Sequence, residues 1–339
     1  MDLGMKKISI AALIIATAAG NAYAFKLNPM NRYVVAPEGT VADQFSEPVH
    51  EQITRSARER FVKRCIEETP TDAVCKLNSR PDAVIQDSLI RGVWWNDDPN
   101  QSLYKASALI WVGHMWDAKR RANNTAYVID SRYKMHYRSH YGDMQFLHSM
   151  ASADGEQATY TKKNILMWAE FAYGMAINEF KPSTYFKDVK IENLSRYFAR
   201  QADWQLSYIM QPKYHLKDTP NDFADHALGS LLHMVEDSYS AAHIERDYSA
   251  SKACPTGHIK RFLAYTHQDS KKHGAADTLK AYENSEHADT PVEVAAQLIW
   301  FVRRKADWVK EVAPYLDKMV YCTEGTAEVA GAGVYQKVK

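Results

Sequence analysis

Apolar residues recur along much of this chain at intervals of three and four, the spacing typical of an amphipathic helix. The stretch 162–179 shows the pattern, with apolar residues at Ile165, Leu166, Trp168, Ala169, Phe171 and Ala172. The periodicity predicts helices over 49–67, 102–121, 162–179, 191–210, 225–241, 258–283 and 291–321. Asp289-Thr290-Pro291 supports the last of these, because proline is favoured near the first position of a helix.

Strand-like alternation of apolar and polar residues is scarce. Only 33–35 and 126–129 are brief candidates. The 14 glycines and 12 prolines argue against a sandwich or barrel built from many short turns. The sequence therefore predicts an all-α fold with few or no strands, formed by a single multi-helix domain over 25–322. A Gly/Ala-rich tail at 323–339 is expected to be loosely held.

The segment 1–24 has the features of an export signal. A basic start precedes an apolar stretch at 8–20, and the segment ends in the small-x-small pattern that signal peptidase reads. Cleavage after Ala24 would make Phe25 the amino terminus of a periplasmic or secreted protein. A membrane anchor is the weaker alternative, because the apolar stretch is shorter than the ~20 residues needed to span a bilayer. No later stretch is apolar enough to span one.

Composition narrows the possible partners. The 42 Lys and Arg residues nearly balance the 41 Asp and Glu residues, so bulk charge does not favour nucleic acid or an anionic membrane. Any preference for phosphate must therefore come from a local site. The hydrophobic fraction of 46% and the charged fraction of 24% place the chain among ordinary globular proteins.

All four cysteines follow the predicted signal. An even number in an oxidising compartment suggests two disulfides, for which three pairings are possible. The pairing Cys65–Cys75 would close a small loop, and Cys254–Cys322 would tie the last helix to the loop after 225–241; we favour this arrangement. A zinc-thiolate site is the alternative, and it lacks a close Cys-x-x-Cys pair.

The candidate chemistry lies in and after the predicted helix 225–241. His233 and Asp237 are four residues apart, so a helix presents both side chains on one face. Such a pair is more often a surface hydrogen bond than a metal site, but here apolar neighbours surround it, and a buried carboxylate needs a partner. A metal ion would supply that partner. His243 follows six residues later and can reach the same cleft, and Glu236 can orient a ligand imidazole.

A second pair with the same spacing, His273 and Asp277, extends the candidate site. Two pairs on two helical segments indicate a cluster of metal ions rather than one.

The arrangement Leu-Leu-His-x-x-x-Asp, six residues to His, then a later His-x-x-x-Asp, resembles the zinc-dependent phospholipase C family. Fungal single-strand nucleases share its fold. The resemblance implies a helical domain with a cleft for two or three zinc ions, bound here by His233, Asp237, His243, His273 and Asp277. It also implies that Asp237 bridges two of the ions.

The resemblance extends upstream of these residues. The early histidine of the family is matched by His50, and its aspartate in a Trp-rich segment by Asp97, with Asp98 as the alternative. A further histidine is matched by His148, with His136 and His140 as alternatives. The family also binds zinc through its aromatic amino terminus, which corresponds to Phe25.

The implied activity is hydrolysis of a phospholipid such as phosphatidylcholine to diacylglycerol and a phosphorylated head group, with transient contact to a membrane surface. Zinc ions neutralise the phosphodiester and lower the pKa of a bound water toward ~7. Asp97 would bind zinc or deprotonate the attacking water. A secreted zinc nuclease or nucleotidase is the alternative, although the near-neutral charge disfavours nucleic acid. A non-catalytic exported metal-binding protein is a third possibility.

Overall fold

In a computed structural model, the described part of the chain is mostly helical, which confirms the all-α prediction. The structure describes residues 26, 47–75, 82–99, 108–124, 126–210, 220–249, 251–323 and 327–338. The predicted signal at 1–24, Phe25 and the strand candidate at 33–35 lie outside these residues.

Eleven α-helices and two strands of the described residues surround or support the site. The helices are α1 (Val49–Glu67), α2 (Asp82–Val93), α3 (Ala108–Ala122), α4 (Met135–Tyr141), α5 (Ala158–Ala176), α6 (Leu194–Phe198), α7 (Ser207–Met210), α8 (Pro220–Asp237), α9 (Ser270–Ala276), α10 (Leu279–Glu283) and α11 (Asp289–Arg304). A further helical segment runs from Trp308 to Val320 and contains π-helical turns. The strands are β1 (Ile244–Asp247) and β2 (His258–Phe262), which pair antiparallel.

Helix α8 lies at the centre of the domain and packs against α2, α5 and α11. Two glycines allow the close approach of α2 and α8. A Cβ at Gly92 would lie 2.4 Å from the His226 carbonyl oxygen, and one at Gly229 would lie 2.3 Å from the Leu89 carbonyl oxygen. Any side chain at either position would push the helices apart, so this contact sets how deeply α8 is buried.

The predicted helices agree with the structure to different degrees. The prediction over 49–67 matches α1, and α5, α8 and α11 correspond to 162–179, 225–241 and the first half of 291–321. The prediction over 191–210 is interrupted, because it covers the short helices α6 and α7 with a 3-10 turn and a bend between them. Periodicity also missed α2 and α4.

The predicted helix 258–283 is wrong over 258–269, nearly half of its length. Residues 258–262 form β2, because β1 offers them a hydrogen-bonding partner, with Ile244 opposite Phe262 and Asp247 opposite His258. Helices α9 and α10 follow. The candidate strand at 126–129 forms no strand in the described part of the chain.

Both favoured disulfides are present, joining Cys65 to Cys75 and Cys254 to Cys322. The expectation of a loosely held tail is wrong for 327–338. Ala330 and Ala332 are buried, and the Ala264 amide donates to the Gly331 carbonyl over 3.1 Å.

A search of the described residues finds no helix that combines the length and the apolar character needed to cross a membrane.

Candidate metal centre

The His233–Asp237 pair lies on the last turn of α8, on one face as the spacing predicts. The Nε2 atom of His233 is 3.0 Å from Oδ2 of Asp237, and both side chains are fully buried. Leu231, Leu232, Met234 and Val235 are fully buried too, so α8 has no solvated face at this end. The pair therefore lies inside the domain and not on its surface.

The first cluster consists of His50, His233 and Asp237, whose ligand atoms lie within 4.8 Å of one another. Helix α1 supplies His50, whose Nε2 is 3.2 Å from Oδ1 of Asp237 and whose ring stacks on that of His233. Glu236 holds the other nitrogen of His50 at 2.6 Å and accepts a hydrogen bond from Thr54. The predicted orienting role of Glu236 fits this geometry.

The second cluster consists of Asp97, His148 and His233. The Nδ1 atom of His148 lies 3.1 Å from Nε2 of His233 and 2.9 Å from Oδ2 of Asp237. Its Nε2 atom lies 4.0 Å from Oδ1 of Asp97. The 3-10 turn that carries His148 is anchored to α8, since the next residue, Ser149, donates to a main-chain carbonyl of that helix.

Asn96 positions Asp97 in the loop after α2. Its amide donates to the carbonyls of Leu147 and Ser230, and the Ser230 hydroxyl donates back to it over 2.6 Å. One buried side chain thus joins the Asp97 loop to α8 and to the turn before His148.

The structure places the alternative ligands in different surroundings. His148 groups with Asp97, whereas His136 falls in none of the three groups found among the described residues, and neither does Asp98. His140 contacts Asp97 from the other side, with Nε2 3.3 Å from Oδ1. Burial alone would raise the pKa of Asp97, but His140 and the neighbouring imidazoles outweigh it and lower the pKa.

The third cluster consists of His243, His273 and Asp277. Nε2 of His273 lies 2.8 Å from Oδ2 of Asp277, and the Ser240 hydroxyl donates to the other oxygen of Asp277. His243 lies just before β1, and its Nδ1 is 3.7 Å from Oδ1 of Asp237. Asp237 therefore lies close to imidazoles from all three clusters.

The imidazoles around Asp237 determine its protonation state. Burial alone would raise its pKa, but His243, His233 and His50 outweigh it and hold the pKa well below its usual range. Burial also lowers the pKa of His233 to about 4. Asp237 is thus a carboxylate and His233 a neutral imidazole at neutral pH, which are the protonation states that metal binding requires.

Four imidazoles present the same nitrogen to the clusters. In each, Nδ1 lies against an acceptor, which leaves Nε2 facing the other ligand atoms. The acceptors are Glu236 for His50, the Val93 carbonyl for His233, the His148 carbonyl for His243 and Gln268 for His273. An acceptor that fixes the tautomer and ring orientation is the usual support of a metal-binding histidine.

The three clusters contain buried polar atoms that a bound metal ion would satisfy. Nε2 of His148 and Nε2 of His243 have no hydrogen-bond partner among the described residues. Each such atom costs about 1–3 kcal/mol if nothing satisfies it. Imidazole and carboxylate donors suit zinc and related transition metals, so the three clusters fit the ions that the resemblance implies.

Phe25, the remaining candidate ligand, lies outside the described residues. Its neighbour Lys26 is described and buried, and the Lys26 amide donates to the Asp277 carbonyl over 3.2 Å. Val49, at the start of α1, donates to the Lys26 carbonyl. Lys26 therefore lies between α1 and the third cluster.

Sequence reasoning missed two residues of the centre. Gln268 joins His273 to the Ala242 carbonyl, and the ring of Tyr265 lies 5.2 Å from that of His273 and 5.7 Å from that of His243. Neither belongs to a spaced ligand motif, and both fall in a stretch that periodicity assigned to a helix.

Comparisons of the chain with protein-family models, with curated proteins and with solved structures each find no match. The resemblance to the zinc-dependent phospholipase C family is therefore carried by the matched residues and remains a prediction.

Proposed function

We propose that this protein is an exported zinc-dependent phospholipase C that hydrolyses the glycerol-side phosphodiester bond of phospholipids such as phosphatidylcholine. One observation carries the proposal: three buried clusters of histidine and aspartate adjoin one another around Asp237. A site for several divalent cations a few ångströms apart suits a phosphodiester, whose two nonbridging oxygens share one negative charge.

Bound zinc ions would neutralise the phosphodiester and make a water molecule more acidic. Asp97, a buried carboxylate in the second cluster, would either bind such an ion or accept the proton of this water. His140 holds Oδ1 of Asp97 in place from the side of α4. Addition of the water oxygen to phosphorus would break the bond from phosphorus to the glycerol oxygen, which would leave as diacylglycerol with the proton that the water gave up.

Exposed aromatic and aliphatic residues support a lipid substrate. Trp116 on α3 is 50% exposed, and Tyr127 and Val128 in the following loop are 41% and 65% exposed. Amphipathic aromatic side chains favour the interface between water and lipid. Helix α3 also carries Trp111, whose ring lies against that of His140, so this surface is connected to the second cluster.

Export fits the cysteine chemistry. Both pairs of cysteines are joined in disulfides, and such bonds persist in oxidising compartments such as the periplasm and the extracellular space.

The decisive experiment is an assay of the purified mature chain on phosphatidylcholine. We expect release of phosphocholine and diacylglycerol, loss of this activity with a chelator and its recovery with zinc. An Asp97→Asn variant should retain folding and lose turnover. If the protein cleaves single-stranded DNA and leaves phosphatidylcholine intact, the nuclease alternative replaces this proposal. If it binds zinc and hydrolyses neither, the non-catalytic alternative does.

A further inference from the structure

Tyr265 occupies the space between the second and third clusters. Its ring lies 5.2 Å from His273, 5.7 Å from His243 and 6.1 Å from both His148 and His140, measured between ring centroids. The residue is 2% exposed. No other tyrosine of the described chain contacts four histidines in this way.

The hydroxyl of Tyr265 is buried and has no hydrogen-bond partner among the described residues. Packing does not explain this hydroxyl, because a phenylalanine ring would fill the same space without a buried polar atom. A buried hydroxyl without a hydrogen-bond partner makes folding less favourable. A ligand that supplies an acceptor atom would satisfy it.

The main chain holds this phenol rigidly. The Tyr265 amide donates to Oε1 of Gln145 over 3.0 Å, and the Tyr265 carbonyl accepts from the Gln268 amide. On the preceding residue, the Ala264 amide donates to Gly331. The histidine rings around the phenol restrict its rotation, so the position of its oxygen is set before any ligand binds.

We propose that the Tyr265 hydroxyl is an anion-binding donor of the metal centre, which donates its hydrogen bond to an oxygen of a bound phosphoryl group. A phosphoryl group carries several acceptor oxygens, and only one or two of them can face metal ions in the adjoining clusters. A neutral, rigid donor beside those clusters binds a further oxygen. It also binds more strongly as negative charge develops on the phosphoryl oxygens in the transition state.

This inference rests on the proposed phosphodiester-cleaving site, and inorganic phosphate tests it separately from turnover. The variant is Tyr265→Phe in the zinc-loaded mature chain. We expect an unchanged zinc content, phosphate affinity weakened about tenfold and kcat on phosphatidylcholine lowered roughly 100-fold with a smaller change in KM. The melting temperature of the metal-free variant should equal or exceed that of the metal-free wild type, because the unsatisfied hydroxyl is gone.

Tyr173→Phe is the matched control. Tyr173 is a buried tyrosine on α5 whose hydroxyl donates to the Ala306 carbonyl over 2.7 Å. Its loss should lower the melting temperature and leave phosphate affinity unchanged, the opposite of the pattern expected at Tyr265.

Two results would overturn the inference. Unchanged phosphate affinity in Tyr265→Phe would mean that the hydroxyl does not touch the anion, and a lower zinc content would make it a metal ligand instead. If the variant does not fold, 3-fluorotyrosine at position 265 replaces it, and the absence of a fluorine resonance shift on phosphate addition overturns the proposal. Tyr265-dependent phosphate binding without hydrolysis of phosphatidylcholine would leave this inference standing and remove the phospholipase activity.

Discussion

Oε2 of Glu236 lies 2.6 Å from Nδ1 of His50, and the neighbouring carboxylate, that of Asp237, contacts the other nitrogen of the same ring. Burial acts to lower the pKa of His50, but Asp237 and Glu236 outweigh it and raise the pKa well above its usual range. Two consecutive residues of α8 thus hold one imidazole of α1 from both sides, and only Asp237 belongs to one of the three candidate clusters.

Glu236→Gln should weaken metal binding at the first cluster. The amide is neutral and makes a weaker contact with His50, so the ring loses both orientation and basicity. We expect metal affinity to fall about 10–100-fold, measured by competition with a chromogenic chelator. Glu170→Gln is the control, because Glu170 is a partly buried glutamate of α5 outside the three clusters. Equal affinities in the two variants would refute the orienting role.

Asp237→Asn should remove more metal than Asp277→Asn. Asp237 lies close to imidazoles of all three clusters, whereas Asp277 belongs to the third cluster. We expect the Asp237 variant to lose more than one ion per chain and the Asp277 variant to lose one, as measured by atomic emission. A full metal complement in Asp237→Asn would show that Asp237 does not bridge two ions.

Trp116→Ser should reduce activity on phosphatidylcholine vesicles and spare activity on short-chain, monomeric phosphatidylcholine. Losing ~1.4 kcal/mol of apolar burial at the membrane interface corresponds to about a tenfold loss on vesicles. Trp204→Ser is the control, because Trp204 is 48% exposed and lies before α7, away from α3 in the chain. The same loss on both substrates would show that Trp116 acts on folding or on the site rather than at the membrane.

Removal of the Cys254–Cys322 disulfide should destabilise the protein more than removal of Cys65–Cys75. The Cys254–Cys322 disulfide joins residues 68 positions apart, whereas the Cys65–Cys75 disulfide joins residues 10 positions apart. The chain-entropy estimate is roughly 4 kcal/mol for the long loop and roughly 3 kcal/mol for the short one. Urea unfolding of the two paired Cys→Ser variants measures this difference. A larger loss from Cys65–Cys75 would contradict the entropic account.

Acid should destabilise the metal-free protein through His136. Burial lowers its pKa to about 2, from an ordinary value of 6.5. Between these values the unfolded chain binds a proton that the folded chain does not, so stability falls as the pH drops below about 6.5. For one such group, the free energy of unfolding falls by about 1.4 kcal/mol for each pH unit within this range.

The measurement is the free energy of unfolding of the metal-free protein at pH 7.5 and at pH 5. We expect His136→Gln to lose less stability between these two conditions than the wild type does. An identical loss in both proteins would show that His136 does not account for the acid sensitivity.

Residue spacing alone identified the pairs His233–Asp237 and His273–Asp277, because residues four apart on a helix share a face in any tertiary context. The same local reasoning predicted α1, α5 and α8 and the predominance of helix. The cysteine pairing followed from their positions and from the expected oxidising compartment.

Tertiary packing decided which distant residues join these pairs. His136, His140 and His148 all lie in one short stretch of sequence, and only the turn anchored to α8 by Ser149 brings His148 to His233 and Asp237. Tyr265 belongs to no spaced motif and reaches the centre because β2 pairs with β1. Spacing along one helix fixes a face locally, whereas contacts between elements depend on how those elements pack, which periodicity does not encode.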